Sequence, residues 1–329
     1  MINNVKFKLE EDEIAIICFD IETVIDHVAA YKLVNISEQE KKELEELDRL
    51  QKTQKLRQKL VDYHLEATKG VNNFPRQLFH QIVMLSYVVL AKSENSNKDS
   101  PYRIIIINSA KGFSENKAIC NDDELFAAEK KIIKQFTSIL NKLNKFNKLN
   151  KFNKPKSNIR LVTFNGRSFD IPVLKYRAMV HGLSIPVLFG KDISYRYGDI
   201  SLDLIELFSD YGASARIKMK EVCAILGIPC KLDGLDGGSV EQMFDDNDIT
   251  KIKQYCEVDS LITSILYLRY VTVKGELSAV GYNKTIEAMQ HYVNSVNKDS
   301  FGEEIDTSGI KYFFKKWESE GKIFLNPED

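Results

Sequence analysis

"IAIICFDIETV", residues 14–24, decides how this chain is read. Ile14 to Phe19 carry the β-branched and aromatic content of a buried strand, yet the run ends in two acids two positions apart. Side chains two apart on a strand share a face, so Asp20 and Glu22 project together while Phe19 and Ile21 point the other way. Two like charges beside an apolar core repel, and one takes up a proton unless a cation or hydrogen-bond donors compensate. Something positive is expected there.

Working outward, three more apolar runs read as strands: Ile82 to Leu90, Ile104 to Asn108 and Ile159 to Phe164. The first three runs follow one another without an intervening βαβ pattern, which predicts an antiparallel start to the sheet. Between the third and fourth, "NDDELFAAEKKIIKQFTSIL" keeps Leu125, Ile132, Phe136 and Ile139 at helical spacing, with Asp122 or Asp123 as cap. That strand–helix–strand crossover returns a parallel strand. The rest is mostly helical, so the expected class is α/β, a mixed central sheet flanked by helices.

The fourth strand leads into "NGRSFDIPVLKYRAMVHG", where Asn165-Gly166 breaks the strand, Pro172 suits a first helical turn and Gly182 ends the helix. Asp170 then sits near a helix N-terminus, a place where capping alone would explain an acid. Further on, Ile252, Tyr255, Asp259, Ile262 and Leu266 recur at steps of three and four, one stripe of a helix. No Lys, Arg or His stands one turn from Asp259 to pair with it, although the Tyr255 hydroxyl can. Together Asp20, Glu22, Asp170 and Asp259 make an all-carboxylate set of the kind that hard divalent ions require.

Two segments look added. Residues 37–69 are densely charged, open with a capping box (Ser37, Glu40), close at Gly70, and carry a broken apolar stripe (Leu44, Leu47, Leu56, Leu60). They predict a long solvated helix, a surface arm without sustained heptads. Residues 141–157 contain a tandem repeat, "NKLNKFNKLNKFNKPK", in a region with no Asp or Glu from Lys130 through Arg160. A low-complexity, disordered loop is the expectation, with nonspecific phosphate contact as its only readable chemistry.

The chain has 329 residues, with 46 Lys+Arg against 47 Asp+Glu. A formal net charge of −1 gives no argument for a nucleic-acid partner, nor one against it, since the local field at a groove governs phosphate contact. Five scattered cysteines without paired spacing read as buried free thiols in a reducing compartment. No apolar stretch reaches about 18 residues, so a soluble cytoplasmic protein with no membrane partner is expected.

In order and wording, "FDIET" (19–23), "NGRSFD" (165–170) and "YCEVD" (255–259) resemble motifs I, II and III of the DEDD superfamily of 3′–5′ exonucleases, in the subgroup with Tyr in motif III. The longer runs from Leu161 to Gly182, Tyr197 to Phe244 and Tyr255 to Leu277 resemble the predicted 3′–5′ exonucleases related to the proofreading domain of family-B DNA polymerases. The resemblance implies a ribonuclease H-like exonuclease domain over residues 1–277 and a helical extension over 278–329. It implies two Mg²⁺ or Mn²⁺ ions, Asp20 bridging them, Glu22 and Asp259 completing one site and Asp170 holding the second through water. Tyr255 would orient the attacking water, being a poor base with an ordinary pKa of about 10. Asn165 and Phe169 would contact substrate, Phe169 and Phe164 offering aromatic faces to a terminal base unless both are core. Asp203 has no place in the metal set and reads as structural or as a support behind the metal ligands. The implied substrate is the 3′ end of single-stranded DNA; RNA, or binding without cleavage, are the alternatives.

Overall fold

The computed structural model describes residues 9–113, 121–144, 148–149, 155–156, 158–230, 237–296, 306–320 and 323–327. β1 (Glu13–Ile25) is followed by α1 (His27–Leu33), α2 (Glu38–Glu45) and α3 (Arg49–Ala67), then by β2 (His80–Ser93) and β3 (Arg103–Ser109). α4 (Asp122–Leu143) leads through the two-residue pair β4 (Lys148–Leu149) and β5 (Pro155–Lys156) to β6 (Ile159–Thr163), α5 (Asp170–His181), α6 (Lys191–Ser194) and β7 (Ser201–Asp203). The chain continues as α7 (Leu204–Phe208), α8 (Met219–Leu226), α9 (Val240–Asp245), α10 (Ile249–Val273), α11 (Ala279–Ser295) and α12 (Ser308–Ser319). The main sheet has five strands in the order β3-β2-β1-β6-β7. β1, β2 and β3 pair antiparallel; β6 pairs parallel with both β1 and β7. This is the mixed central sheet flanked by helices that the sequence predicts, in the arrangement expected of a ribonuclease H-like fold.

Alternation along β1 divides the core in two. Ala15, Ile17, Phe19 and Ile21 pack with Ile132, Phe136 and Ile139 of α4 and Leu174 and Ala178 of α5. Ile16 and Cys18 face the opposite layer, against Leu261, Ile262 and Ile265 of α10. That second layer also takes in Met289 of α11 and Phe313 and Trp317 of α12. Asp20 and Glu22 continue the row of Ile16 and Cys18, so the strand delivers them beside α10. Directly after Glu22 the register against β2 shifts, from Glu22 opposite Met84 to Thr23 opposite Ile82, and this bulge turns the end of the strand.

A buried charged node ties the first layer together. Glu129 of α4 is fully buried and accepts from Arg177 Nε at 2.7 Å and Nη2 at 2.6 Å, and from the Ile82 amide at 2.8 Å; His181 Nε2 lies 2.7 Å away. Arg177 Nη1 also reaches Asp26, at the end of β1, at 2.7 Å.

Two local expectations need correction, and a third falls mostly outside the described residues. Residues 37–69 are not one solvated arm. They form α2 and α3, broken where Asp48 caps the second helix. Leu44, Leu56 and Leu60 pack with Ile25, Ala30 and Phe79. Arg57 is buried and pairs with Asp245 at 2.6 Å and Glu241 at 3.1 Å, so α3 is docked on α9. The gap in the apolar stripe at Leu47 is the break between two helices. The cap of α4 is Asn121, whose side chain accepts from the Glu124 amide at 2.8 Å, and not Asp122 or Asp123. Most of the repeat at 141–157 lies outside the described residues. Within them, α4 runs on through Leu143, and Lys148–Leu149 pairs antiparallel with Pro155–Lys156.

Candidate active site

Three elements meet at one end of the sheet. β1 places Asp20 and Glu22 on one face, and they are close enough to share a hydrogen bond. α10 lies over that face with Tyr255, Cys256 and Asp259. α5 brings Asp170 from the flank. The parallel pairing of β1 with β6 ends at Cys18 opposite Val162, so the edge of β1 beyond it is open, and Asp170 Oδ1 accepts the Ile21 amide at 3.2 Å.

The loop that makes this possible departs from ordinary backbone. Asn165 has φ +70°, a left-handed conformation that Asn tolerates better than most residues. At Gly166 a Cβ would meet the Thr163 side chain at 2.5 Å, so only glycine fits the turn. Asp203 pins the loop, accepting from the amides of Asn165 at 2.7 Å and Arg167 at 3.0 Å while capping α7. The structural reading of Asp203 is what the geometry shows.

Electrostatics mark the cluster as short of positive charge. Burial raises the Asp20 carboxyl well above its usual range, and the charges of Glu22, Asp170 and Asp259 raise it further. Glu22 is raised in the same way, by burial first and then by Asp259 and Asp170. Asp170 is pushed up to about 7, chiefly by burial, with Asp203 adding to it and the backbone amides opposing. Tyr255 hydrogen-bonds Asp259, and its hydroxyl is shifted upward by burial and by the charges of Asp259, Glu22 and Asp20, so it stays protonated. Without a cation, carboxylates this close share protons instead. An all-oxygen donor set in that state fits a hard divalent ion.

A pH dependence follows. Asp170 has an ordinary value of 3.8 when unfolded and about 7 when folded. Between those values the folded chain holds a proton that the unfolded chain has lost, so stability falls as pH rises through that window. In chelator, the melting temperature is expected to drop from about pH 4.5 to 7.5, with a shallower slope in Asp170→Asn. A divalent cation that binds the folded, ionised carboxylates in preference to the unfolded chain would restore it. Equal slopes in wild type and Asp170→Asn would contradict this.

The sequence does not single out Cys256, Phe74 or His80 as site residues, whereas it does Phe169, Asn165 and Phe164. Cys256, taken there for an inert thiol, points its Sγ at the Asp20 carbonyl oxygen, 3.4 Å away, and lies 3.9 Å from Oδ2. Ligand atoms of Asp20, Glu22 and Cys256 all lie within 4.8 Å of one another. Burial, then the charges of Asp20 and Glu22, hold its thiol protonated. Its place next to Tyr255 was the available clue. Phe169, half-buried, packs its ring 5.6 Å from Phe74 and 4.9 Å from His80, whose Nδ1 sits 3.0 Å from Thr23 Oγ1 beside Glu22. Phe74 is 54% exposed, an aromatic face at the rim of the acids. Asn165 accepts from the Ser168 hydroxyl at 2.7 Å. Phe164 is partly buried against the α10 layer.

Residues 72–317 match the sequence profile of a family described as a predicted 3′-5′ exonuclease related to the exonuclease domain of PolB. Asp20 and Glu22 precede the matched stretch, whereas Asp170, Tyr255 and Asp259 fall within it. No curated protein matches the chain. No helix among the described residues is long and apolar enough to cross a membrane.

Proposed function

This chain belongs to the family of predicted 3′–5′ exonucleases related to the exonuclease domain of PolB, and from that premise we propose that it removes nucleoside 5′-monophosphates from the 3′ end of single-stranded DNA. The family makes the chain a nuclease with a nucleic-acid substrate. The observation that carries the finer reading is the approach of Asp20, Glu22, Asp170 and Asp259 to one another, close enough for each of Asp20 and Glu22 to be perturbed by Asp170 and Asp259.

Asp20, Glu22, Asp170 and Asp259 would hold two Mg²⁺ or Mn²⁺ ions. When bound, such ions acidify a water and offset the charge that builds on the phosphoryl oxygens. Tyr255 is suited to aim that water by donating a hydrogen bond, because its environment keeps the proton on. Phe169 and Phe74 present rings against which an unpaired terminal base can stack. Asn165 holds the turn that carries Phe169 and Asp170, next to the substrate.

Digestion of 5′-labelled single-stranded DNA, matched RNA and duplex tests this. Stepwise release of mononucleotides from single-stranded DNA, abolished by chelation, is expected. Faster attack on RNA would make the enzyme an exoribonuclease, and binding without cleavage would make it a recognition module. Tyr255→Phe is expected to keep activity at about 1–10% of wild type, since positioning by one hydrogen bond contributes less than the charged ligands. Activity within twofold of wild type would remove Tyr255 from the mechanism.

A further inference from the structure

One row of residues crosses three strands beneath α10. Asp20 on β1 is the cross-strand partner of Ser86 on β2, and Ser86 is the partner of Ser109 on β3. Direct antiparallel partners share a face, so the three side chains line up on the side that α10 covers. Ser86 and Ser109 are buried, and their hydroxyl oxygens lie 2.9 Å apart. The row ends on α10, where the Ser109 hydroxyl donates to Glu257 Oε1 at 2.7 Å. Glu257 is buried as well, and desolvating a carboxylate is costly. Nothing in the proposed chemistry uses it.

A serine hydroxyl has a single proton. Ser109 spends its proton on Glu257, so the bond between the serines must be made with the proton of Ser86. The chain therefore runs in one direction, from Ser86 to Ser109 to Glu257, away from Asp20. Resting on the exonuclease reading above, we propose that Glu257 is a positioning residue: by fixing the direction of this serine pair, it keeps the oxygens of Asp20 free for a divalent cation. Without Glu257, Ser109 can turn its proton toward Ser86, and Ser86, which also hydrogen-bonds the Cys256 thiol, can turn its own toward its cross-strand partner Asp20. A hydrogen bond there occupies an oxygen that the cation needs and draws the carboxylate toward the sheet.

Mn²⁺ binding measured by titration calorimetry on the full chain tests this, with steady-state cleavage alongside. Loss of partners behind a metal ligand typically weakens metal affinity about 10–100-fold. Glu257→Ala and Ser109→Ala should both fall in that range, with KM for the oligonucleotide unchanged and kcat at fixed Mn²⁺ reduced. Glu257→Gln, whose amide oxygen still accepts from Ser109, should stay within about threefold of wild type. Ser109→Ala is a small change that keeps the test available if Glu257→Ala does not fold. Wild-type Mn²⁺ affinity in folded Ser109→Ala overturns the proposal, and so does a Gln variant as weak as the Ala variant, because charge and not bond direction would then be the cause. In either case the exonuclease reading stands as long as the wild type binds Mn²⁺ and Asp20→Asn does not. A wild type that takes up no Mn²⁺ overturns both.

Discussion

Asp20→Asn is expected to cut mononucleotide release by about 10²–10³-fold while leaving the protein folded. Removing one preorganised donor from an active site costs about 10²–10³ in rate, and Asp20 is the acid whose carboxyl is raised by all three of the others. The substitution keeps size and shape but removes the charge. The contact from Cys256 to the Asp20 main chain survives, since its acceptor is the backbone carbonyl. Relief of repulsion has its own signature: in chelator at pH 7.5, Asp20→Asn should melt no lower than wild type. Loss of activity together with loss of folding would leave the carboxylate's role unsupported, and full activity in a folded variant would refute it. Labelled-oligonucleotide digestion and a thermal melt of the same preparation read both.

The second large effect concerns stability. Arg177→Met should destabilise the chain by about 3–5 kcal/mol, the usual consequence of taking one partner from a buried ion pair. Arg177 gives two hydrogen bonds to Glu129 and one to Asp26. Glu129 would be left fully buried with His181 and the amides of Ile82 and Gln81 as its remaining partners. Urea unfolding should therefore shift to lower denaturant with little change in slope. Pairing the change with Glu129→Leu should recover most of the loss, because the uncompensated charge goes with it. No recovery would mean that the node contributes through packing and not through charge.

Much of the scaffold can be read from local pattern. The β-branched and aromatic content of Ile14 to Phe19 predicts a buried strand, and it is one. The order of apolar runs predicts two antiparallel pairs and one parallel return, which the ladders reproduce. That Asp20 and Glu22 share a face follows from the period of a strand. Their meeting with Asp170 and Asp259 does not follow from any spacing; motif resemblance supplied it. Docking of α3 was invisible for the same reason, since Arg57 finds Asp245 nearly two hundred positions away. Ser86 was hidden inside an apolar run, where a single hydroxyl looks incidental until a neighbour on another strand is known.

The acids come from the start, middle and late parts of the chain, and α10 must dock before the last of them arrives. During synthesis from the N-terminus, β1 emerges with its two carboxylates bare, and contacts at such long sequence separation form late. The carboxylates of the candidate site therefore come together only once the tertiary structure closes.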